Sequence, residues 1–180
     1  MAGMISLLKQ ARGILIYPTV LRGAFIFGAS GGTGVFLARD DRAETWAGPA
    51  FYTIGEVSFG LQAGGEASEI ILLALTERGV NAFLNISAKL GADANIALGP
   101  IGRGASASTQ NLSADIVSYA RSKGLYGGVS VQGAIVSVRD SLNNAYYGQP
   151  VSPTDILVRR LVTNPQANAL IDAVKAATKD

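Results

Sequence analysis

The sequence predicts an α+β fold, a mostly antiparallel or barrel-like sheet with short helices at the N-terminus, mid-chain and C-terminus. Three observations carry this expectation. Apolar side chains alternate through Val57, Phe59, Leu61 and Ala63, the period-2 mark of a half-buried strand. The run Glu69–Thr76 is apolar throughout its middle and of strand length, which suits a strand buried on both faces. Helix-start chemistry, by contrast, is confined to a few places, above all Ser152-Pro153-Thr154-Asp155.

In chain order, Ile5, Leu8 and Ala11 fall on one helical face with Lys9 and Arg12 beside it, which predicts a short amphipathic helix ended by Gly13. Ile14–Tyr17 is a short strand closed by Pro18. Ala24–Gly28 and Val35–Arg39 read as a hairpin whose turn is ASGGTG, three glycines in six residues. Asp40–Thr45 is a charged loop. Trp46, Phe51 and Tyr52 stand before the alternating strand and are expected to be buried as core aromatics. Thr76 caps a helix with an apolar stripe of Val80, Phe83 and Leu84. Asn95–Leu98 and Ile116–Tyr119 are further strands, and Val129, Val131, Gly133 and Ile135 alternate as another. Ser152 caps a C-terminal helix with Pro153 at its first position, and Asn164-Pro165 breaks it and starts a second, with Leu170, Ala173, Val174 and Ala177 as its apolar face. No domain boundary stands out, so residues 1–180 are read as one domain: an amphipathic segment over 1–12, a β-rich core over 13–150 and C-terminal helices over 151–180.

Composition narrows the function classes. Cysteine and histidine are both absent, which excludes disulfides, thiolate metal sites and Ser-His or Cys-His catalytic pairs within one chain. The net charge is +2 and the basic residues form no long run, so a nucleic-acid footprint is weak. Hydrophobic residues make up 48% of the chain, which fits either a compact Ala- and Gly-rich β domain or, more sharply, an apolar face for a membrane or for self-association. The longest uncharged run, Gly23 to Ala38, is broken by glycine and reads as a hairpin, not a membrane span. No signal peptide is apparent.

Three catalytic motifs fail on context. Gly28-Ala29-Ser30-Gly31-Gly32 has the spacing of a nucleophile elbow, but a strand follows it and no histidine exists. Gly102-Arg103-Gly104 with Ala107 loosely fits a dinucleotide loop but opens no helix. Ser6 and Lys9 have the S-x-x-K spacing without its partner motifs. No catalytic residue, metal ligand or cofactor is therefore expected.

WAGPAFYTIGEVSFGLQAGG (Trp46–Gly65) resembles the central motif of the SYLF domain family. RGILIYPTVLRGAFIFG (Arg12–Gly28), SGGTGVFLARD (Ser30–Asp40), LTERGVNAFL (Leu75–Leu84), KLGADANIALGPIGRGA (Lys89–Ala105), YARSKGLYGGVSVQGA (Tyr119–Ala134) and AYYG (Ala145–Gly148) follow in the family's order. The resemblance runs from about Arg12 to about Leu157. It implies a non-enzymatic domain that binds membrane phospholipid, phosphoinositides in eukaryotic members, with some fungal members linked to actin. A stand-alone domain is more similar to bacterial members, which implies a peripheral protein of the cell envelope or periplasm.

The residues that suit such a role are Lys9, Arg12 and Arg22, with Ile5 and Leu8 as the apolar contacts. Arg22 matches the family's basic residue before its GFI-like segment. A basic amphipathic segment is what an anionic bilayer attracts. Arg121 and Lys123, flanking a turn, are secondary candidates, and Arg159 and Arg160 are assigned to a helix end, where cations suit the dipole. The alternative is a structural or assembly module whose apolar surface serves a homo-oligomer or a protein partner.

Overall fold

The computed structural model describes residues 2–17, 30–40, 45–56, 69–100, 114–122, 124–129 and 131–179. Helix α1 (Ala2–Gln10) leads into β1 (Gly13–Tyr17), β2 (Ser30–Arg39), β3 (Trp46–Glu56) and β4 (Glu69–Ala74). Helix α2 (Glu77–Ala82) and the short strands β5 (Ser87–Lys89) and β6 (Ile96–Leu98) follow, then β7 (Ile116–Ser122), β8 (Leu125–Gly128) and β9 (Ile135–Val138). The C-terminal part holds α3 (Asp140–Tyr147), α4 (Pro153–Leu157), a 3₁₀ turn (Pro165–Ala167) and α5 (Asn168–Thr178). The strands form a curled sheet in the order β5-β9-β3-β2-β1-β4-β7-β6, with β8 paired to β7. Every pairing is antiparallel except β6 with β7. The α+β, mostly antiparallel expectation holds.

The sheet is covered on both faces, and the strand period sorts its side chains between them. Leu15 and Tyr17 of β1, Phe36 and Ala38 of β2, Ala50, Tyr52 and Ile54 of β3 and Ile70, Leu72 and Ala74 of β4 point to one core, closed by Phe83, Ile156 and Leu157. Their neighbours Ile14, Leu37, Leu73, Val117 and Tyr119 point to the other, which Met4 and Leu7 of α1 and Val174 of α5 close. Residues Glu69–Ala74 therefore do belong to a strand buried on both sides, with β1 and β7 as its neighbours. Trp46 and Tyr52 are buried as expected, while Phe51 is half-buried and stacks edge-on against Tyr146.

Several expectations are corrected. Ser30–Gly34 is not a turn: these residues continue β2 and pair with Tyr52–Glu56. Ala24–Gly28, the other expected arm, lies outside the described residues, as do Val57, Phe59, Leu61 and Ala63. The strand of the central stretch begins at Trp46, earlier than the alternation implies. Gly34 serves close approach: a β-carbon there would lie 2.5 Å from the Ile16 carbonyl oxygen and 2.6 Å from the Tyr17 ring. Gly34→Ala is expected to destabilise by about 1–3 kcal/mol, whereas Gly55→Ala, which meets nothing within 4 Å, should be nearly neutral. Thermal unfolding of the two variants checks this, and equal midpoints would count against it.

The alternation from Val129 to Ile135 is not one strand either. Gly133 has φ +86, and Ala134 N–H donates to the Val131 carbonyl at 3.0 Å, so a turn separates β8 from β9. Val129, Val131 and Ala134 still reach the core, because the turn folds all three inward. Helix α3 falls within the stretch expected to be β-rich. The expected face of α5 also rotates: Ala173 and Ala177 are exposed, and Val174 and Thr178 are buried, with Leu170 half-buried in the same i, i+4 row.

The helix starts are as their sequences dictate. Thr76 accepts from Gly79 N–H at 3.1 Å. Ser152 and Asp155 form a reciprocal capping box at α4, each side chain accepting from the other's backbone N–H at 3.1 Å. Asn164 accepts from Gln166 N–H at 2.9 Å to open the 3₁₀ turn.

Four tyrosines are held neutral by burial. Tyr17 and Tyr52 are pushed well above the usual phenol range, Tyr147 is raised as well, and Tyr119 is pushed up to about 12. The Tyr52 hydroxyl donates to the Phe83 carbonyl and that of Tyr119 to the Pro100 carbonyl. Above the usual value of 10, the unfolded chain sheds phenolic protons that the folded chain keeps. The unfolded state then binds fewer protons, so stability falls as pH rises. Urea midpoints are expected to hold steady from neutral pH to about 10 and to drop between 10 and 12. A flat profile through that window would mean that these phenols ionise in the folded protein.

Candidate functional site

One end of the sheet gathers cations from separate parts of the chain. Arg12 precedes β1, and its N–H donates to the Ala74 carbonyl at 2.8 Å; the Arg39 N–H at the end of β2 donates to the Arg12 carbonyl, also at 2.8 Å. These backbone ties place the two arginines side by side. Arg160 arrives from the turn after α4. Together the three line a cleft of about 460 Å³, with Asp40 and Glu77 as its acids and Val80, Leu157 and Val158 as part of its apolar wall. Three guanidinium groups against two carboxylates leave the described lining net basic, which suits an anion.

A second cleft of about 480 Å³ adjoins the first and shares Arg39 with it. Among the described residues Lys175 and Lys179 are its other cations, Thr45, Thr178 and Trp46 complete most of its lining, and no acid lines it. The Arg39 guanidinium is positioned twice over. It lies 5.8 Å from the centre of the Trp46 ring, and its Nη1 donates to the Lys9 carbonyl at 3.0 Å. Arg160 is positioned by Thr45, with Nη1 at 2.6 Å from the hydroxyl and Nη2 at 3.0 Å from the carbonyl.

The sequence-derived candidates divide. Arg12 stands in the cleft. Lys9 is exposed on α1, one helical turn from exposed Ile5. The expected apolar face is not presented as a unit, however: Ala11 is fully buried and Leu8 half-buried against the core that Met4 and Leu7 enter. The helix spends that side on holding itself to the sheet, and Ile5 alone of the three faces outward. Arg22 and Lys123 lie outside the described residues. Arg121 is paired in register with Glu69, at the far end of β7 from the cleft, so it does not join this group.

Arg159 and Arg160 part company. Arg159 pairs with Asp155 at 3.2 Å across one helical turn, as a helix-end cation does. Asp155, whose carboxyl is held below its usual value by the Ser152 backbone N–H and further by Arg159, is a fitting partner. Arg160 instead belongs to the cleft. Sequence reasoning missed it, together with Arg39, Lys175 and Lys179, because only the fold brings these positions together.

Among the described residues no helix is long and apolar enough to cross a membrane, which says nothing of a β-barrel. No group of three or more acids among them is placed to hold a metal ion.

A family model described as "Ysc84: Las17-binding protein actin regulator" matches residues 55–177. Protein YSC84 of Saccharomyces cerevisiae is 34% identical over 169 residues, which cover 91% of this chain and 36% of that protein. LAS seventeen-binding protein 3 of the same species is 30% identical over 173 residues, 94% of this chain and 37% of the relative. SH3 domain-containing YSC84-like protein 1 of Homo sapiens is 29% identical over 176 residues, 96% of this chain and 50% of the relative. The chain thus spans between about a third and a half of the length of these relatives. They come from yeast and human, and the expectation of a bacterial envelope protein draws nothing from them.

Proposed function

The chain belongs to the Ysc84/SYLF domain family, and on that premise we propose that it is a non-enzymatic module that docks on anionic phospholipid membranes through the paired basic clefts. The observation that carries this is the convergence of Arg12, Arg39, Arg160, Lys175 and Lys179 on one end of the sheet. Phosphate-bearing headgroups match that geometry, because guanidinium forks and ammonium groups can neutralise several phosphate oxygens at once. Lys9 and Ile5 are exposed on α1, and the Lys9 carbonyl holds the Arg39 guanidinium. The lack of cysteine and histidine fits a binding role better than a catalytic one.

Vesicle co-sedimentation tests the proposal. Binding is expected to anionic or phosphoinositide-bearing vesicles, to be weak on neutral ones, and to decline with salt, since surface charges act over about 8 Å at physiological ionic strength. Equal binding to neutral vesicles, or none to any, would remove the proposal. The second reading is a protein partner. It draws on the name of LAS seventeen-binding protein 3 and on the family model's description as a Las17-binding actin regulator. An acidic protein surface could fill the same clefts, and retention by such a partner with no vesicle binding would favour it.

A further inference from the structure

The turn after α4 carries two large apolar side chains into solvent, Val158 at 56% and Leu161 at 58% exposure, with Arg159 and Arg160 between them. The backbone of this turn is tied down. Val158 and Arg159 N–H groups donate to the Thr154 carbonyl at 3.0 and 2.9 Å, and Leu161 N–H donates to that of Asp155 at 2.9 Å. Arg160 has φ +53, the left-handed region that a residue with a β-carbon rarely adopts. Its two hydrogen bonds to Thr45 and the Arg159–Asp155 pair hold the corner in that form. The result is a preformed tip with apolar ends and cations between.

A single exposed aliphatic residue needs no explanation. Ile86, Leu98, Leu125 and Ile135 are such cases, on or beside β5, β6, β8 and β9. Val158 and Leu161 differ in their setting. Val158 lines the arginine cleft itself, and the pair brackets Arg160, which lines it too. Charge and apolarity thus meet at one turn, the two properties that a bilayer interface takes up with its phosphates and its acyl boundary. We infer that the Val158–Leu161 turn is a membrane-inserting tip that seats in the acyl boundary of an anionic lipid surface while the adjoining clefts hold headgroups. The inference rests on the membrane-docking reading and adds a specific inserting element to it.

The absence of cysteine makes the test direct. Leu161→Cys, labelled with an environment-sensitive fluorophore, is compared with Leu125→Cys, which places the same label on an exposed position of β8. With anionic vesicles carrying doxyl-lipid quenchers, the label at position 161 should shift to the blue and be quenched, and that at 125 should not. Val158→Ser with Leu161→Ser alters only exposed side chains, so folding should hold. It should weaken partitioning tenfold or more, since burying fewer than two of the methylenes removed, at about 0.8 kcal/mol each, already supplies that factor. If the protein sediments with vesicles while the label at 161 stays aqueous, or the serine pair leaves binding unchanged, the tip is overturned and membrane docking stands. If no vesicle binds, both are overturned.

Discussion

Replacing Trp46 with alanine is expected to lower the unfolding free energy by about 3–5 kcal/mol. The ring is 5% exposed and sits where three parts of the structure meet. It opens β3, pairs across the ladder with Arg39, and belongs to the core that holds α1 and α5 against the sheet. Its loss removes a large transfer contribution and leaves a void. That void would merge with a small cavity of about 130 Å³ that Trp46 already lines together with Ile156 and Ile171. It also removes the aromatic face under the Arg39 guanidinium. Because the only tryptophan is then gone, circular dichroism in urea is the measurement, with Trp46→Phe as a partial restoration. An unchanged midpoint for the alanine variant would show that the ring is not part of the core.

Neutralising Arg12, Arg39 and Arg160 together should reduce partitioning to anionic vesicles on the order of a hundredfold, taking about 1 kcal/mol per cation near the surface. The loss should shrink as salt rises, since the charges removed are screened in the parent protein as well. Glutamine at the three positions keeps polar donors. Lysine at the three keeps charge but loses the two-pronged geometry, so an intermediate result would mark bidentate recognition. Arg159→Gln should change little, because that side chain is already paired with Asp155 at a helix end. Arg121→Gln should also change little, since it lies at the other end of β7. Circular dichroism controls for folding, because Arg39 and Arg160 each hold backbone groups of neighbouring segments. Full retention of binding by a folded triple variant would move the docking surface elsewhere.

What the sequence made legible follows from the range of the interactions involved. Capping is local, so Thr76, Ser152 with Pro153 and Asp155, and Asn164 with Pro165 could be placed to the residue. The strand buried on both faces was equally plain in Glu69–Ala74, where no polar side chain interrupts Ile70 to Leu73. Glycine misled, because the same residue serves a turn at Gly133 and close packing in a strand at Gly34, where the Ile16 carbonyl and the Tyr17 ring leave no room for a β-carbon. Ala11 misled in a similar way, since an apolar residue beside cations does not reveal whether it faces the sheet or solvent. The basic clefts were the least legible. Arg12 and Arg160 are separated by most of the chain, and their meeting depends on β1, β2 and α4 being assembled first.

The strand order bears on where this protein can be cut. The family match begins at residue 55, yet β1, β2 and nearly all of β3 precede it. A fragment trimmed to the match would leave β9 without β3 and β4 without β1, which splits the sheet into two disconnected remnants. It would also lose Met4, Leu7 and Trp46, which pack with Val174 of α5. The segment that the family model matches is therefore not a folding unit, and expression boundaries drawn from it alone would expose two raw strand edges, each a template for aggregation.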